Sequence, residues 1–455
     1  EKKTEGQKMA MKKLITNGMV LTMNEAGDTY PDGYIMFEDG VITETGSMCE
    51  MPPERQQAFA ADGWQIENAA RAIVMPGMVN THSHLGMLPF RGLGDDCRDR
   101  LRVFLLPMEQ KAMNEELVAA STRYAVCELL LSGVTCVLDM YYFEMAVAKV
   151  MDEMGIRGIA GETVMEEGAC DFRDPEEALE YGKKLIAKYQ DHPRISGALT
   201  PHGTNTCRPE HLKAAYEMDA AAGVPFSLHA AEMDYEMSYM QEMYGITPFG
   251  FLEKTGVLGP VSALAHCIHM TDEDIALMKK YGSGVCHCIA SNTKAAKGVA
   301  PVLKLLEAGV PVGLGSDGPA SGNTLDLFAQ MRLCANFQKI ANHDRSAMPA
   351  KDIVAMATIG GARVLGLDHI TGSLEAGKAA DITLVETDSV NMFPVYDPYS
   401  ALVYSANSSN VCDVYVAGEQ LVKDKKLVKA DLAEIKKELK RVMDASEFGK
   451  MGELH

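Results

Sequence analysis

His82 and His84 stand two residues apart in VNTHSHLG (79–86), directly behind the apolar run Ala72–Met75 and a Pro76-Gly77 break. On a strand, residues i and i+2 face the same side, so both imidazoles can reach one ion. The chain holds only 12 histidines in 455 residues, so the pair is not a by-product of a histidine-rich composition. Two polar side chains on a wet strand end explain the spacing equally well. The decision has to come from the rest of the chain.

The same setting recurs. His202 follows ISGALTP, His229 and Glu232 follow PFSL, His266 lies at the end of SALAHC, and Asp317 ends VPVGLGSD. Singly, each is a capping aspartate or a hydrogen-bonded histidine; repeated behind one apolar run after another, they point to a shared site. Three imidazoles and a carboxylate suit a first-row divalent ion, zinc first, then iron or manganese. A site closed by protein ligands is structural, whereas one that keeps a water is catalytic. Bound water falls from a pKa of 15.7 to about 7, which yields a nucleophile at neutral pH. Glu232, not needed as a ligand, is the candidate proton carrier, a role worth about 10²–10⁴-fold. The spacing predicts a hydrolase without naming the bond.

Those residues converge only if the elements behind them share one rim. Residues from about 72 to 370 alternate apolar β runs with helical segments. The runs are AIVMPGMVNTH, VTCVLDM, GIAGETV, ISGALTP, PFSLHA, SALAHC, SGVCHC and VPVGLGSD. Between the sixth and seventh, TDEDIALMKKYG predicts a helix with Thr271 as N-cap, Asp274 in the capping position and Gly282 as the stop. This α/β pattern predicts a (β/α)₈ TIM-like barrel, whose active sites occupy the C-terminal strand ends; a doubly wound open sheet is the alternative. Outside it, YIMFEDGVIT predicts a hairpin at Asp39-Gly40, and DITLVE and VCDVYVAGEQLV predict strands near the other end. Neither end has enough strands for a stable sheet. The expected division is therefore 1–71 and 376–455 forming one small β-sandwich domain, with 72–375 as the catalytic barrel. DLAEIKKELKRVM adds a terminal helix with Leu432, Ile435, Leu439 and Val442 on one docked stripe.

Composition narrows the class. Hydrophobic residues make up 47% and charged residues 23%, the profile of a soluble globular chain. No run approaches the roughly 18 apolar residues of a membrane span, and EKKTEGQKMAMKK lacks the apolar core of an export signal. With 63 acidic against 43 basic residues the net charge is −20, a surface that repels polyphosphates and argues against nucleic acid. Eleven scattered cysteines fit reduced thiols and a cytoplasmic location. The Cys286-x-Cys288 pair lacks a second pair to complete a zinc site and is read as structural.

PGMVNTHSH, the HAAE around His229, AHCIH and GLGSDGPASGNTLDLFAQMRL resemble strand-end motifs of the amidohydrolase superfamily, and GSLEAGKAADI is also typical. The resemblance covers nearly the whole chain, and its motifs together are highly specific. Within the superfamily the chain is similar to the methylthioadenosine/S-adenosylhomocysteine deaminases, in a branch that also holds triazine hydrolases and guanine deaminases. The resemblance implies that His82, His84, His229 and Asp317 bind one divalent ion. It implies that Glu232 carries a proton to the ring nitrogen and that His266 steadies the attacking hydroxide and the tetrahedral intermediate. Asp317 would also accept a proton from the water. Two-metal members commonly bridge their ions with a modified lysine at the end of the fourth strand; ISGALTPHGTN has none there, which implies one ion.

Substrate residues follow from the same resemblance. LLPMEQKA resembles the segment whose glutamate holds ribose hydroxyls, here Glu109; a first-turn glutamate after Pro107 is the bland alternative. His202 matches the histidine that contacts the purine ring, although PHGTNT replaces the usual PHAPYT, and CIASN carries Ile289 where proline is usual. Arg173 matches one of two arginines that hold the carboxylate of acidic substrates, and Glu162 takes the place of the other. A carboxylate there would repel that group. The implied substrate is a small molecule, an amine-bearing purine such as methylthioadenosine or adenosine, losing ammonia. Guanine or pterin deamination and triazine hydrolysis are alternatives on the same fold; a binding protein without turnover is the alternative of another kind. The H-x-E and P-C-x-x-C pattern of the small zinc deaminases is absent. Met233, Met237, Met240 and Met243 are read as a packed helix face in preference to a lid over substrate. Barrel enzymes of this type are often homo-oligomers.

Overall fold

The computed structural model describes residues 11–451; the basic opening stretch lies outside them up to residue 10. The chain begins with β1 (Lys12–Leu21), antiparallel to β2 (Thr29–Glu38), which turns into β3 (Val41–Ser47). Asp39 and Gly40 make that turn with φ of 48° and 84°, the left-handed pair a tight hairpin requires. β4 (Gln65–Asn68) and β5 (Ala72–Pro76) run parallel to β1.

At Gly77 the chain leaves this sheet. A Cβ there would stand 2.1 Å from Thr135 Oγ1, so no other residue passes without displacing its neighbour. The predicted first run is thus two strands in different sheets, since β6 (Met78–Ser83) starts the alternating part.

β6, β7 (Val134–Tyr141), β8 (Arg157–Val164) and β9 (Ile195–Pro201) form one four-stranded parallel sheet. β10 (Phe226–Ala230), β11 (Ser262–His266), β12 (Gly284–His287) and β13 (Val312–Leu314) form a second. Their residues are almost all buried, as in parallel strands covered on both faces. The sheets meet at both edges. Gly203 bridges to His229 beyond β9, and the Asp317 N–H donates to the His82 carbonyl at 3.0 Å. Val79, Leu138, Ile159, Ala198, Ala265 and Cys286, from strands of both sheets, pack in one cluster. The result is a barrel-like α/β body with helices between its strands. One of these, Asp272–Tyr281, is closed by the Thr271–Asp274 capping box and by Gly282 at φ 71°.

β14 (Ile382–Glu386), β15 (Val411–Val416), β16 (Glu419–Lys423) and β17 (Lys426–Leu427) return to β5 and complete a nine-stranded sheet from both chain ends. Phe37 on β2 and Tyr415 on β15 are four strand steps apart along it, roughly 19 Å if flat. Their ring centroids are only 5.6 Å apart. The sheet therefore folds over on itself around Ile15, Ile35, Val74 and Leu384, aided by bulges in β1 and β2 that sharpen the bend. In place of two separate sheets, one continuous sheet makes both layers.

In the terminal helix Leu432–Asp444, Leu439 and Val442 are buried, Ile435 packs half-buried against the core and Leu432 is exposed, so all of the stripe but its first residue is docked. Among the described residues no helix is long and apolar enough to cross a membrane.

Candidate active site

β6 and β10 bring three imidazoles to one point. His229 Nε2 lies 3.2 Å from His82 Nε2 and 3.4 Å from His84 Nε2. The Nδ1 atoms of His84 and His229 donate to the carbonyls of Met140 and His202, which leaves lone pairs on both Nε2 atoms. Lone pairs aimed at each other repel unless a proton or a cation stands between them. Asp317, three residues past β13, adds a carboxylate oxygen 3.2 Å from His84 Nε2. Donor atoms of His82, His84 and Asp317, and likewise of His82, His229 and His266, lie within 4.8 Å of one another.

Burial first, and neighbouring imidazoles second, hold His82 and His229 well below the ordinary imidazole pKa, so both stay neutral donors. At His84 burial is outweighed by Asp317, and the pKa is raised to about 9. Without a cation a proton would join that pair; a divalent ion would take the proton's place. This donor chemistry fits a divalent metal. Ala231, His266 and Asp317 carry φ of 50°, 69° and 57°, a left-handed backbone that costs about 1–3 kcal/mol per residue and concentrates at functional sites.

Glu232 turns toward the same centre from the loop after β10. Its Oε1 lies 3.5 Å from His266 Nε2 and 2.5 Å from Lys297 Nζ. The Glu236 carboxylate accepts the N–H groups of Ala231 and Glu232 at 2.9 and 2.8 Å and so fixes the loop. His266 donates through Nδ1 to Asn292 Oδ1 at 2.8 Å, which aims its Nε2 at Glu232. Burial alone would raise the Glu232 carboxyl; His266 and Lys297 override it and hold the group well below the usual carboxylate range. It begins as a base.

A cavity of about 430 Å³ opens onto this centre. Glu109 reaches it buried, accepting from Tyr141 Oη at 2.6 Å. Burial, only partly offset by Tyr141, raises its carboxyl to about 7. His202 lines the cavity too, its Nδ1 3.0 Å from Thr206 Oγ1, and burial lowers it to about 4, a neutral hydrogen-bonding ring. Met87, Leu105, Leu106 and Met140 supply apolar wall.

Two expected features lie elsewhere. Arg173 is exposed and outside the cavity lining. Glu162 is fully buried and outside the cavity lining, accepting the Glu144 N–H at 3.1 Å; burial first and Asp171 second raise its carboxyl well above the ordinary range, so it presents no charge to a substrate, and on β8 it is Thr163 that faces the cavity. Of the methionines, Met233 touches the cavity, Met240 is buried in the core and Met243 is 61% exposed, which is mostly a helix face. Cys286 and Cys288 are buried free thiols, and Cys286 belongs to the barrel core.

Asn292 and Lys297 escaped the reading of the sequence. Asn292 sits in the CIASN motif, whose serine and asparagine were visible as a pattern without a role. Lys297, in KAAKG, reads as a solvated charge; only the tertiary structure buries it against Glu232.

The amidohydrolase family profile matches residues 73–421. The 5-methylthioadenosine/S-adenosylhomocysteine deaminase of Syntrophobacter fumaroxidans is 36% identical over 426 residues, 93% of this chain and 95% of the relative. The 5′-deoxyadenosine deaminase of Methanosarcina barkeri is 35% identical over 92% of this chain and 94% of its own length. Among solved structures, an adenosine deaminase from Xanthomonas campestris with bound zinc superposes with a TM-score of 0.90 at 29% identity, covering 96% of this chain and 98% of the other.

Proposed function

The chain belongs to the amidohydrolase family, and from that premise we propose that it is a metal-dependent hydrolytic deaminase of adenine nucleosides, acting on a carbon–nitrogen bond of a cyclic amidine. The observation that carries this reading is the convergence of His82, His84, His229 and Asp317 beside Glu232, on the floor of a cavity that also holds Glu109 and His202.

His82, His84, His229 and Asp317 would hold one divalent ion, zinc by preference. When bound, that ion supplies the Lewis acidity that makes a water nucleophilic at neutral pH. Glu232, ionised at rest, takes a proton at its carboxylate and delivers it to the ring nitrogen as the amine-bearing carbon is attacked. His266, held by Asn292 beside Glu232, would stabilise the charge that develops on the attacking oxygen, while Asp317 would accept the second proton. Ammonia leaves. His202 hydrogen-bonds the purine as a neutral ring, and Glu109 accepts the ribose hydroxyls.

Met87, Leu105, Leu106 and Met140 give a 5′ group without charge, such as the methylthio or deoxy group, an apolar wall to pack against, although Arg98, Arg100 and Lys294 also line the cavity. Because Glu162 faces away from the cavity, this preference rests on the apolar wall and on the distance of Arg173 from it. Ammonia release from methylthioadenosine, 5′-deoxyadenosine and S-adenosylhomocysteine, with guanine and triazines in the same panel, tests it. Strong preference for S-adenosylhomocysteine, or turnover of triazines alone, overturns the assignment.

The edge contacts and shared interior of the two parallel sheets support a closed (β/α)₈ barrel over 72–375. The described residues on either side of it, together with β5 between β1 and β14, then form the small β domain. Eleven free cysteines favour a reducing, cytoplasmic setting. Homo-oligomeric assembly is the expected state, which sedimentation of the purified protein decides.

A further inference from the structure

Lys297 is a buried cation inside the cavity that metal binding and substrate recognition leave unused. Its side chain is only 15% exposed, and its Nζ lies 2.5 Å from Glu232 Oε1. Holding a lysine out of water is costly unless a partner compensates it, and Glu232 is that partner. The backbone is bent to deliver it: Ala296 and Gly298 flank it with φ of 54° and 128°. Asn292 ties it to the rest of the site, since its carbonyl accepts the Lys297 N–H at 2.9 Å while its Oδ1 accepts from His266 Nδ1 at 2.8 Å. One residue therefore sets both neighbours of Glu232. Both neighbours engage Oε1, while Oε2 makes no hydrogen bond to the described residues.

We propose that Lys297 is a positioning residue for deamination: it pins Glu232 through Oε1 so that Oε2 is presented to the reacting atoms and returns as a base after each turnover. This rests on Glu232 being the proton carrier. Lys297 touches no reacting atom in this role, so its removal acts on kcat and spares binding.

The test measures kcat, KM and metal content for Lys297→Met, Lys297→Arg, Glu232→Gln and the double variant Glu232→Gln/Lys297→Met. Lys297→Met is expected to lower kcat about 10–100-fold, a part of what a proton carrier contributes, with KM and metal content nearly unchanged, and Lys297→Arg to restore most of the rate. In the Glu232→Gln background, Lys297→Met should add less than about twofold, because residues acting as a unit are not additive. If Glu232→Gln is inactive but Lys297→Met keeps the wild-type kcat, or its loss persists in full on top of Glu232→Gln, the positioning role is wrong while the carrier stands. If Glu232→Gln itself turns over normally, both fall.

Discussion

At the scale of single residues, acidity is set by what surrounds each carboxyl. Glu232 and Glu109 are both buried in one cavity, yet Glu232 is held low by His266 and Lys297 while Glu109 is raised to about 7 by burial. The first suits a proton carrier and the second a hydrogen-bond acceptor that is strongest when ionised. Glu232→Gln should keep its metal and lose about 10²–10⁴-fold in kcat, the usual scale of acid–base help, as read by ammonia release and metal analysis together. Glu109→Gln should raise KM for ribosides about 10–100-fold, the worth of a hydrogen bond to a charged group, with little effect on kcat. In the wild type that KM should climb as pH falls below about 7, because protonation weakens the acceptor. A pH-independent KM would remove Glu109 from the ribose subsite. The candidate site was partly legible in the sequence: His82, His84, His229, Glu232, His266 and Asp317 sit at or just past strand ends within recognisable motifs. Lys297 and the outward turn of Glu162 were not, because a side chain's direction at a strand end depends on packing that local spacing does not encode.

At the scale of elements, β runs and caps were legible because periodicity and capping chemistry are local. The split of Ala72–Met78 into strands of two sheets was not, since Gly77 interrupts an apolar run whose two halves have the same composition; its reason is the contact with Thr135. Local chemistry also makes an element testable by pH. Glu386 closes β14 by accepting from Ser389 and Asp388 N–H and from Asn410 Nδ2. Burial opposes ionisation there, but these donors override it and lower the pKa from 4.5 to about 2. A depressed folded-state pKa adds stability above 4.5 and loses it as pH falls from 4.5 toward 2. Glu386→Gln should therefore cost about 1–2 kcal/mol at neutral pH, allowing for solvent screening, and almost nothing near pH 2. Denaturant midpoints across that range check it; a penalty that does not change with pH contradicts it.

At the scale of the whole molecule, both chain ends build one folded-over sheet that must be joined to the barrel-like body. Arg157 on β8 pairs with Asp381, just before β14, through Nε–Oδ2 at 2.9 Å and Nη2–Oδ1 at 3.3 Å, with both side chains buried. Asp381 also accepts the Ala417 N–H at 2.7 Å. Arg157→Met leaves a buried carboxylate unpaired and should cost about 3–5 kcal/mol of unfolding free energy, while Arg157→Met/Asp381→Asn should recover much of it. Equal losses in both variants would show that the pair is not the joint described here. That the two ends meet was legible from their strand-poor composition; that one continuous sheet makes both layers was not, because it depends on contacts such as Phe37 with Tyr415, 378 positions apart in the chain (415 − 37). If one ion held at the C-terminal strand ends drives deamination, then metal per chain and ammonia release from methylthioadenosine, measured before chelation, after it, and after zinc is returned, should rise and fall together. About one ion per chain is expected, with activity that disappears with it and recovers on reloading. Undiminished ammonia release from the metal-free protein would contradict it.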